Sequence, residues 1–459
     1  MKLALLLCLS VATLHAGANP EIVDLAVGGT CEVKLANGKT KTLKLISYRD
    51  ETEPYFESAN HAFANAVVRA EVVISVDGVQ RTLTGGPFCM PQEMDGLWVL
   101  VNATRGWVGG IEPDHLAKDV RLEVKDSSRP FYDANRFVFP IRNYRWRAMN
   151  YQHTYLGVVV NQPKLYYHRG EDMGMIPDRE EALAMTEGVV TKVPGPLGDG
   201  DSNDLKFDDP TGLAFYYAHM NAPNVLPELA PGSRLRQGAM LGLTGNTWQG
   251  KPVEDPHLHV EVDVKGSEGF HDSFPIFVAA YHHDFPQELL PIAGGWHHLW
   301  EGGTLELDGS LSLAGLGRRI VSHEWTFTDG SRARGARVTR PYLHAGAYSE
   351  RLRVTDDRGR SDIDFVEVFV LNHEQRVPPP YAWINYYPIR GIRPGTPVLF
   401  LTRYSNLRGV TIDFGDGTEI PYREVAAHRY RRRGTYVVEV RGQDAGAGPG
   451  IFHVRVIVD

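Results

Sequence analysis

Residues 257–264 read HLHVEVDV, a run in which polar and apolar side chains strictly alternate. Such alternation is typical of a β-strand, whose successive side chains point to opposite faces. His257 and His259 are therefore expected to lie on one face and to converge on one point. Many short runs of this kind are separated by turn-forming residues, of which the chain has 47 Gly and 29 Pro. This pattern predicts a mainly β, multidomain fold that is rich in turns.

Further residues with metal-binding or catalytic chemistry precede this strand. His168 and Asp172 lie four apart in YYHRGEDMG, and His219 ends the β-like run LAFYYAH. Zinc accepts imidazole nitrogen and carboxylate oxygen, and a catalytic zinc site leaves one position for water. The sequence therefore predicts a zinc site made by His168, Asp172 and His259. His219 and His257 would stand beside it as the groups that accept a proton and stabilise an oxyanion.

Each of these patterns has an ordinary explanation when it stands alone. An isolated His-X3-Asp pair is more often a surface ion pair, and a chain with 18 histidines places two on one strand by chance. His219 alone is typical of a structural histidine. The pairs His282-His283 and His297-His298 are expected to be exposed near a domain junction and receive no role. The combination, in fixed order between positions 168 and 259, favours the catalytic interpretation.

The length of 459 residues is too great for one hydrophobic core, so we expect about three or four domains. Residues 19–135 carry hairpin turns at Asn37-Gly38 and Asp77-Gly78 and predict a β-rich accessory domain, with a short helix within 54–71. Residues 136–285 hold every candidate zinc and catalytic residue. The expected elements there are strands in 188–193, 212–220, 239–245 and 257–264, and a helix in 273–284.

The C-terminal part of the chain contains two similar units, predicted at 288–372 and 381–459. Each has an aromatic-X-Asp-Gly turn, then a Tyr, then Gly-X-Tyr leading into an alternating strand. Recurrence of these marks in the same order indicates a tandem repeat. The segment RVPPP at 376–380 predicts a stiff linker between the units. Trp325 and Phe414 are expected in their cores.

Residues 1–18 have the pattern of a secretory signal peptide, with Lys2, the apolar run LALLLCLSVATL and an Ala-X-Ala cleavage site. Its removal would leave Cys31 and Cys89, and an even pair in an exported protein favours one disulfide, with two buried free thiols as the alternative. No later stretch is long and apolar enough to span a membrane. The net charge of −8 gives no reason to expect nucleic acid or an anionic membrane as partner. We expect a secreted, periplasmic or cell-surface protein.

The residues between 166 and 264 together resemble the lysostaphin-type, or LytM-like, zinc metallopeptidases that act as peptidoglycan endopeptidases. TEGVVTKV, YYAHM and LAPGSRLRQGAMLGLTGNT match that family's intermediate strands. The resemblance implies one Zn²⁺ per chain, held by His168, Asp172 and His259, with His219 and His257 in the two catalytic positions. The stretch after Asp172 and the Asp/Gly loop before Thr211 are longer than in the family pattern, and we expect both to reshape the cleft.

The two C-terminal units resemble PKD domains, which are immunoglobulin-like β-sandwiches. Such modules act in exported enzymes as spacers or as binders of polysaccharide or protein. The combined resemblance implies an exported zinc endopeptidase whose usual substrate is the cross-linking peptide of peptidoglycan. Two alternatives remain open at this stage: a non-catalytic surface or adhesion protein, and an exported zinc peptidase that acts on proteins.

Overall fold

The computed structural model describes residues 13–15, 18–108, 116, 118–159, 165–195, 203–265, 270–374, 377–444, 446 and 448–459. Nearly all of the predicted signal peptide, residues 1–12, 16 and 17, lies outside the described residues. The mainly β, multidomain fold predicted from the sequence is confirmed. Among the described residues, no helix has the length and apolar character needed to cross a membrane.

The N-terminal region, up to Asp126, is built from two twisted sheets. One has the strand order β1-β3-β4-β5-β6 and the other has the order β2-β9-β8-β7. Their buried faces enclose one apolar cluster that includes Leu43, Ile74, Val99 and Leu122. The elements are β1 (Thr13–His15), β2 (Glu21–Leu25), β3 (Thr30–Lys34), β4 (Thr40–Glu57), β5 (Ala62–Val76), β6 (Val79–Gly85), β7 (Gln92–Met94), β8 (Leu97–Thr104), α1 (Arg105–Val108) and β9 (Val120–Asp126).

Both predicted hairpin turns are present, but the short helix predicted within 54–71 is wrong. β4 and β5 pair without a helical break as far as Glu57 and Ala62. Tyr55 and Ala66 of this hairpin are buried against Val158 of the central region. The tertiary contacts of this long hairpin therefore override the helical preference of its alanines.

The disulfide favoured by the cysteine count is also wrong. Cys31 and Cys89 are both free and buried. They belong to two different apolar clusters, Cys31 in the N-terminal one and Cys89 in a larger central one. Burial raises the pKa of Cys31 to about 11 and that of Cys89 to about 12, so both thiols stay protonated near neutral pH.

The central region positions the candidate site on a sheet of order β12-β21-β16-β15-β14-β17. The predicted strands correspond to β14, β16, β18 and β21, and the predicted helix corresponds to α2, which packs its apolar side chains on this sheet. The elements are a 3-10 turn (Ala134–Arg136), β10 (Val158–Val159), β11 (Tyr166–Tyr167), β12 (Glu171–Gly174), β13 (Glu181–Leu183), β14 (Gly188–Lys192), β15 (Leu205–Asp208), β16 (Leu213–Ala218), a 3-10 turn (Ala222–Asn224), β17 (Arg234–Leu235), β18 (Met240–Leu243), β19 (Thr247–Trp248), β20 (Lys251–Pro252), β21 (His257–Val264) and α2 (Phe274–Asp284).

The first C-terminal unit, which we take as 288–372, encloses its own apolar cluster around Trp325, a core residue as predicted. β24, β27 and β28 form the centre of its main sheet, and β22 pairs in parallel with β28. The strands are β22 (His297–Trp300), β23 (Thr304–Asp308), β24 (Ile320–Thr326), β25 (Arg332–Arg334), β26 (Arg337–Pro341), β27 (Gly346–Asp356) and β28 (Ser361–Leu371).

The second C-terminal unit, 381–459, is a sandwich that joins its neighbours. Its sheet β29-β30-β33 faces a layer of β35, β34, β31 and β32, and β35 continues the first unit's sheet by pairing with β27. Phe414, a predicted core residue, lies with Phe400 in the large apolar cluster that also contains the central region's core. The strands are β29 (Tyr381–Tyr387), β30 (Pro397–Ser405), β31 (Arg408–Asp413), β32 (Glu419–Pro421), β33 (Val425–Arg429), β34 (Gly434–Gln443) and β35 (Pro449–Val458).

The histidine pairs expected to be exposed are mostly buried. His282 is 7% exposed within α2, and His298 is 2% exposed. The His298 ring lies between Tyr55 and Phe369, and Nδ1 of His297 is 2.7 Å from a carboxylate oxygen of Glu53. The pair 297–298 therefore docks the long N-terminal hairpin onto the first C-terminal unit.

Candidate metal centre and active site

Two paired strands bring the predicted ligands together. In the antiparallel register of β12 and β21, Asp172 lies opposite His259 and Gly174 lies opposite His257. His168 lies just before β12. The chain turns between them at Gly170, whose φ of +78° lies in the left-handed region. Gly170 also approaches the carbonyl of Val260 too closely for a side chain, since an added Cβ would lie 2.4 Å from that oxygen.

Three donor atoms converge at this point. Nε2 of His168 lies 3.1 Å from Oδ1 of Asp172 and 3.0 Å from Nδ1 of His259, and the latter two atoms are 2.8 Å apart. They form a group of His, Asp and His whose ligand atoms all lie within 4.8 Å of one another. His168 and Asp172 are buried, and His259 is nearly so. Two imidazoles and one carboxylate are a donor set that suits a catalytic zinc ion.

Hydrogen bonds on the far side of each ring fix which nitrogen carries the lone pair. Nδ1 of His168 faces the carbonyl of Gly170 at 3.1 Å, and Nε2 of His259 faces Glu261 Oε1 at 3.0 Å. Because a carbonyl or carboxylate oxygen only accepts, these nitrogens carry the hydrogen. With a cation bound in place of a proton, the opposite nitrogen of each ring would be the lone-pair donor, as in metal sites whose outer partners set the tautomer.

The two predicted catalytic histidines lie on the same side of the site without joining the ligand group. His257 Nε2 is 3.4 Å from Asp172 Oδ1, and the His219 and His257 rings are 4.4 Å apart. His219 directly follows β16, whose last residue Ala218 pairs with His259. Nδ1 of His219 faces the carbonyl of Thr247 at 3.2 Å, and Nδ1 of His257 faces that of Asp255. Both rings therefore keep the Nε2 lone pair for the site.

The electrostatics of the cluster favour a positive charge at its centre. Burial acts to raise the pKa of Asp172, but His168, His257 and His259 outweigh burial and hold it well below its usual range. Burial acts to lower the pKa of His259, but the Asp172 and Glu261 carboxylates raise it to about 10. Burial, together with the neighbouring imidazoles, lowers the pKa of His219 and keeps that ring neutral. The residues present thus fit a divalent cation.

Sequence reasoning missed several residues that frame the site. Glu261 follows His259 by two positions on the same face of β21, so the alternation that paired the histidines also reveals it. Tyr151 and His153 come from a segment along the free edge of β12, where the carbonyl of His153 accepts from Asp172 N–H and that of Tyr151 accepts from Gly174 N–H. No local pattern marks them.

Two further contacts complete this frame. The Tyr151 ring lies 4.7 Å from that of His257, and the His153 ring lies 5.7 Å from that of His168. On the opposite side, the ring of Trp248, 39% exposed on the β19–β20 hairpin, lies 5.4 Å from His219. The site therefore has a buried aromatic wall on one side and an exposed indole on the other.

Comparison with protein families gives the class of this site. Residues 166–269 match the model described as Peptidase family M23, and residues 290–370 match the model described as PKD domain. These two matches confirm the resemblances to the M23 peptidases and to PKD domains that were seen in the sequence. The match over residues 166–269 supports a peptidase, that is, a hydrolase of peptide bonds.

Solved structures with similarity to the chain include a putative endopeptidase and fibronectin-like modules. A putative glycyl-glycine endopeptidase LytM from Ruminococcus gnavus is 24% identical over 29% of this chain, with a TM-score of 0.21, and the chain spans 61% of that protein's length. Csd3 from Helicobacter pylori is 13% identical over 54% of this chain and 74% of its own, with a TM-score of 0.23. Fibronectin(III)-like modules of CbhA from Clostridium thermocellum are 13% identical over 37% of this chain and 91% of their own, with a TM-score of 0.14. Scores this low carry no argument, and the assignment rests on the family matches.

Proposed function

We propose that the protein is an exported zinc metalloendopeptidase that hydrolyses peptide bonds, most often those of peptidoglycan cross-links. The observation that carries the proposal is the convergence of three lone-pair atoms, one each from His168, Asp172 and His259, on one buried point. Beside them stand two histidines that are not needed as ligands. A surface ion pair or a structural histidine would not require this arrangement.

In this proposal one Zn²⁺ per chain is held by His168 Nε2, Asp172 Oδ1 and His259 Nδ1. A bound zinc ion polarises a peptide carbonyl and acidifies water. The outer partners Gly170 and Glu261 hold the two ligand rings in the orientation that binding requires.

His219 and His257 are the proposed catalytic residues. Each ring donates its Nδ1–H to a main-chain carbonyl and presents Nε2 to the site, so each can take up a proton at Nε2. One ring would accept the proton of the attacking water at Nε2 and pass it to the departing amine. The other, protonated at Nε2 from solvent, would donate a hydrogen bond to the oxyanion. The exposed Trp248 ring beside His219 is positioned to contact the substrate chain.

The proposed substrate and location rest on the family resemblance and on the N-terminal sequence. The usual substrate of LytM-like enzymes is the cross-linking peptide of peptidoglycan. The signal-like residues 1–18 support a secreted, periplasmic or cell-surface enzyme. The PKD domain and the unit after it are proposed contacts to polysaccharide or protein. We propose the domain limits 19–135, 136–285, 288–372 and 381–459 for the mature chain.

The test is digestion of purified peptidoglycan by the mature protein, with zinc content and product masses measured on one preparation. We expect about one zinc per chain and release of peptide fragments. Asp172→Ala should lose zinc. His219→Ala and His257→Ala should keep most of it but lose about 10²- to 10³-fold in rate. His283→Ala, in a half-exposed residue that bonds only Asp284 among the described contacts, is the matched control and should change neither.

The alternatives give different results in the same experiment. A protein without zinc that releases nothing is the non-catalytic surface protein. A zinc protein that cleaves denatured casein but not the wall is the peptidase acting on proteins. Near-normal cleavage by folded His257→Ala would remove the proposed mechanism.

A further inference from the structure

The second C-terminal unit touches the strand pair that carries the site. Asn385 of β29 is 1% exposed, and its Nδ2 donates to the carbonyl of Pro256 at 3.2 Å. Its Oδ1 lies over Gly174, where an added Cβ would be 2.8 Å from that oxygen. Gly174 is the residue paired with His257. Together with Met149 and the carbonyl of Tyr151, Asn385 of β29 therefore leaves no space for a side chain at Gly174 on β12.

A second contact from the same unit holds the segment that leads into His257. Arg403 of β30 donates through Nη1 to the carbonyl of Glu254 at 2.8 Å and reaches that of Val253 at 3.5 Å. With the bond from Asn385 to Pro256, the unit thus binds carbonyls on both sides of Asp255. The carbonyl of Asp255 is the one that orients the His257 ring. Displacing this segment would therefore turn the ring.

A third contact runs through aromatic rings. Trp383, which pairs across the sheet with Arg403, lies edge-on to Tyr151 at 4.6 Å. Tyr151 in turn lies 4.7 Å from the His257 ring, at an interplanar angle of 35°. Trp296 stacks on Trp383 at 5.3 Å. The back of His257 is thus closed by rings whose position is set by the second unit.

We propose that the second C-terminal unit forms a fixed wall of the active site, and that Asn385, Arg403 and Trp383 are positioning residues for His257. The proposal rests on the proposed function and deepens it. The three residues act from two paired strands of one sheet, a more rigid support than a loop. A spacer that only carries the enzyme to its substrate needs no such contacts.

The experiment uses the full chain and two substitutions that remove a donor but keep the side chain's bulk, Asn385→Leu and Arg403→Met. The zinc content, the melting temperature, and kcat and KM on a small soluble peptide are measured for each. We expect zinc to stay near one per chain and kcat to fall by about 10- to 100-fold with little change in KM, since small misplacements of a catalytic group cost this much. Arg403→Lys, which keeps a donor, should recover part of the loss.

The matched control is Arg441→Met in the same unit, whose guanidinium pairs with Glu419 and Glu439 on the surface. It should leave kcat unchanged. Normal kcat in both test variants would overturn the proposal. A fall in kcat that Arg441→Met reproduces would also overturn it, as would a fall in kcat that only accompanies a loss of zinc and a lower melting temperature. If the wild-type chain binds no zinc and cleaves no peptide, the proposed function is wrong as well. If the wild type is active and the variants keep its kcat, only this inference is wrong.

Discussion

The two C-terminal units share sequence marks but differ in how they join the rest of the molecule. The first unit closes its own apolar cluster around Trp325, Leu352 and Val368. In the second, Ile384, Phe400 and the other core residues form one continuous cluster with the core of the catalytic region. The first unit therefore has a core of its own, although its Ala347 and Phe369 lie in the shared cluster, whereas the core of the second unit extends the interior of the catalytic region.

The difference shows that shared sequence marks do not determine how a unit packs against its neighbours. The shared turn and strand marks encode a sandwich in both units. What separates them is the outward face of one sheet, where the second unit carries Trp383, Asn385 and Arg403. These side chains lie outside the core of their own unit, so they can also contact a neighbour.

The largest expected effect compares core truncations in the two units. Phe400→Ala, at a site 1% exposed, should cost about 3–5 kcal/mol and lower the melting temperature of the catalytic region with its zinc. Leu352→Ala, at a site 0% exposed, should cost about 2–5 kcal/mol and yet leave peptide cleavage at room temperature nearly unchanged. Calorimetry combined with zinc retention checks both. Equal loss of zinc in the two variants would break the comparison.

An intermediate effect is expected at the joint itself. Arg455 of β35 is 1% exposed, pairs with Asp362 of the first unit and donates to the carbonyls of Trp146 and Arg147. Arg455→Met should cost about 2–3 kcal/mol, somewhat below the usual figure for a fully buried pair, because the Asp362 side chain is 18% exposed and can be rehydrated. Denaturant unfolding should show all transitions shifted together.

The substitution to compare with Arg455→Met lies inside the first unit. Arg340 pairs there with the buried Glu350 at 3.1 Å. Arg340→Met should shift only the transition of that unit. If Arg340→Met also shifted the unfolding transition of the catalytic region, the first unit would not unfold independently.

The smallest effect is a pH dependence at the same joint. Glu367 bonds Asn150, whose side chain also bonds Ala382 and Ile384 of β29. Burial raises the pKa of Glu367 from 4.5 to about 8, against the opposing effects of the Asn150 bond and the Arg147 charge. Asp364 lies near and adds to the rise, and His453 lines the same pocket.

The sign follows from proton binding. Between the two pKa values the native state holds more protons than the unfolded state, so the free energy of unfolding should fall as the pH rises from 4.5 to about 8. Glu367→Gln keeps the shape without the charge and should remove this part of the fall. Urea unfolding of both proteins at the two ends of the window measures it, and parallel curves would show that Glu367 does not titrate as described.

The two halves of the ligand cluster could be predicted because each is local, whereas the resemblance to a known family joined them across 87 residues. Alternation on β21 places His257 and His259 on one face, and β14, β16 and α2 begin and end close to the predicted limits. The resemblance to peptidase family M23 is confirmed over residues 166–269, whereas the roles of the individual histidines stay predictions.

The frame around the cluster could not be predicted, for a physical reason. Tyr151, Asn385 and Arg403 reach the site across long sequence separations, and each looks like an ordinary strand or loop residue in its own neighbourhood. The disulfide predicted between Cys31 and Cys89 was wrong for the same reason, because the spacing of two cysteines does not show that they lie in separate cores. The helix predicted within 54–71 failed because strand pairing decides between conformations that local preference leaves close in energy.

Gly174 and Asn385 bear on how such a protein can change by recombination. Neither residue accommodates a different partner easily, because Asn385 Oδ1 occupies the place of a Gly174 side chain. An exchange of the last unit alone would bring a foreign sheet against β12, next to His257. The catalytic region and the final sandwich are therefore expected to be inherited together.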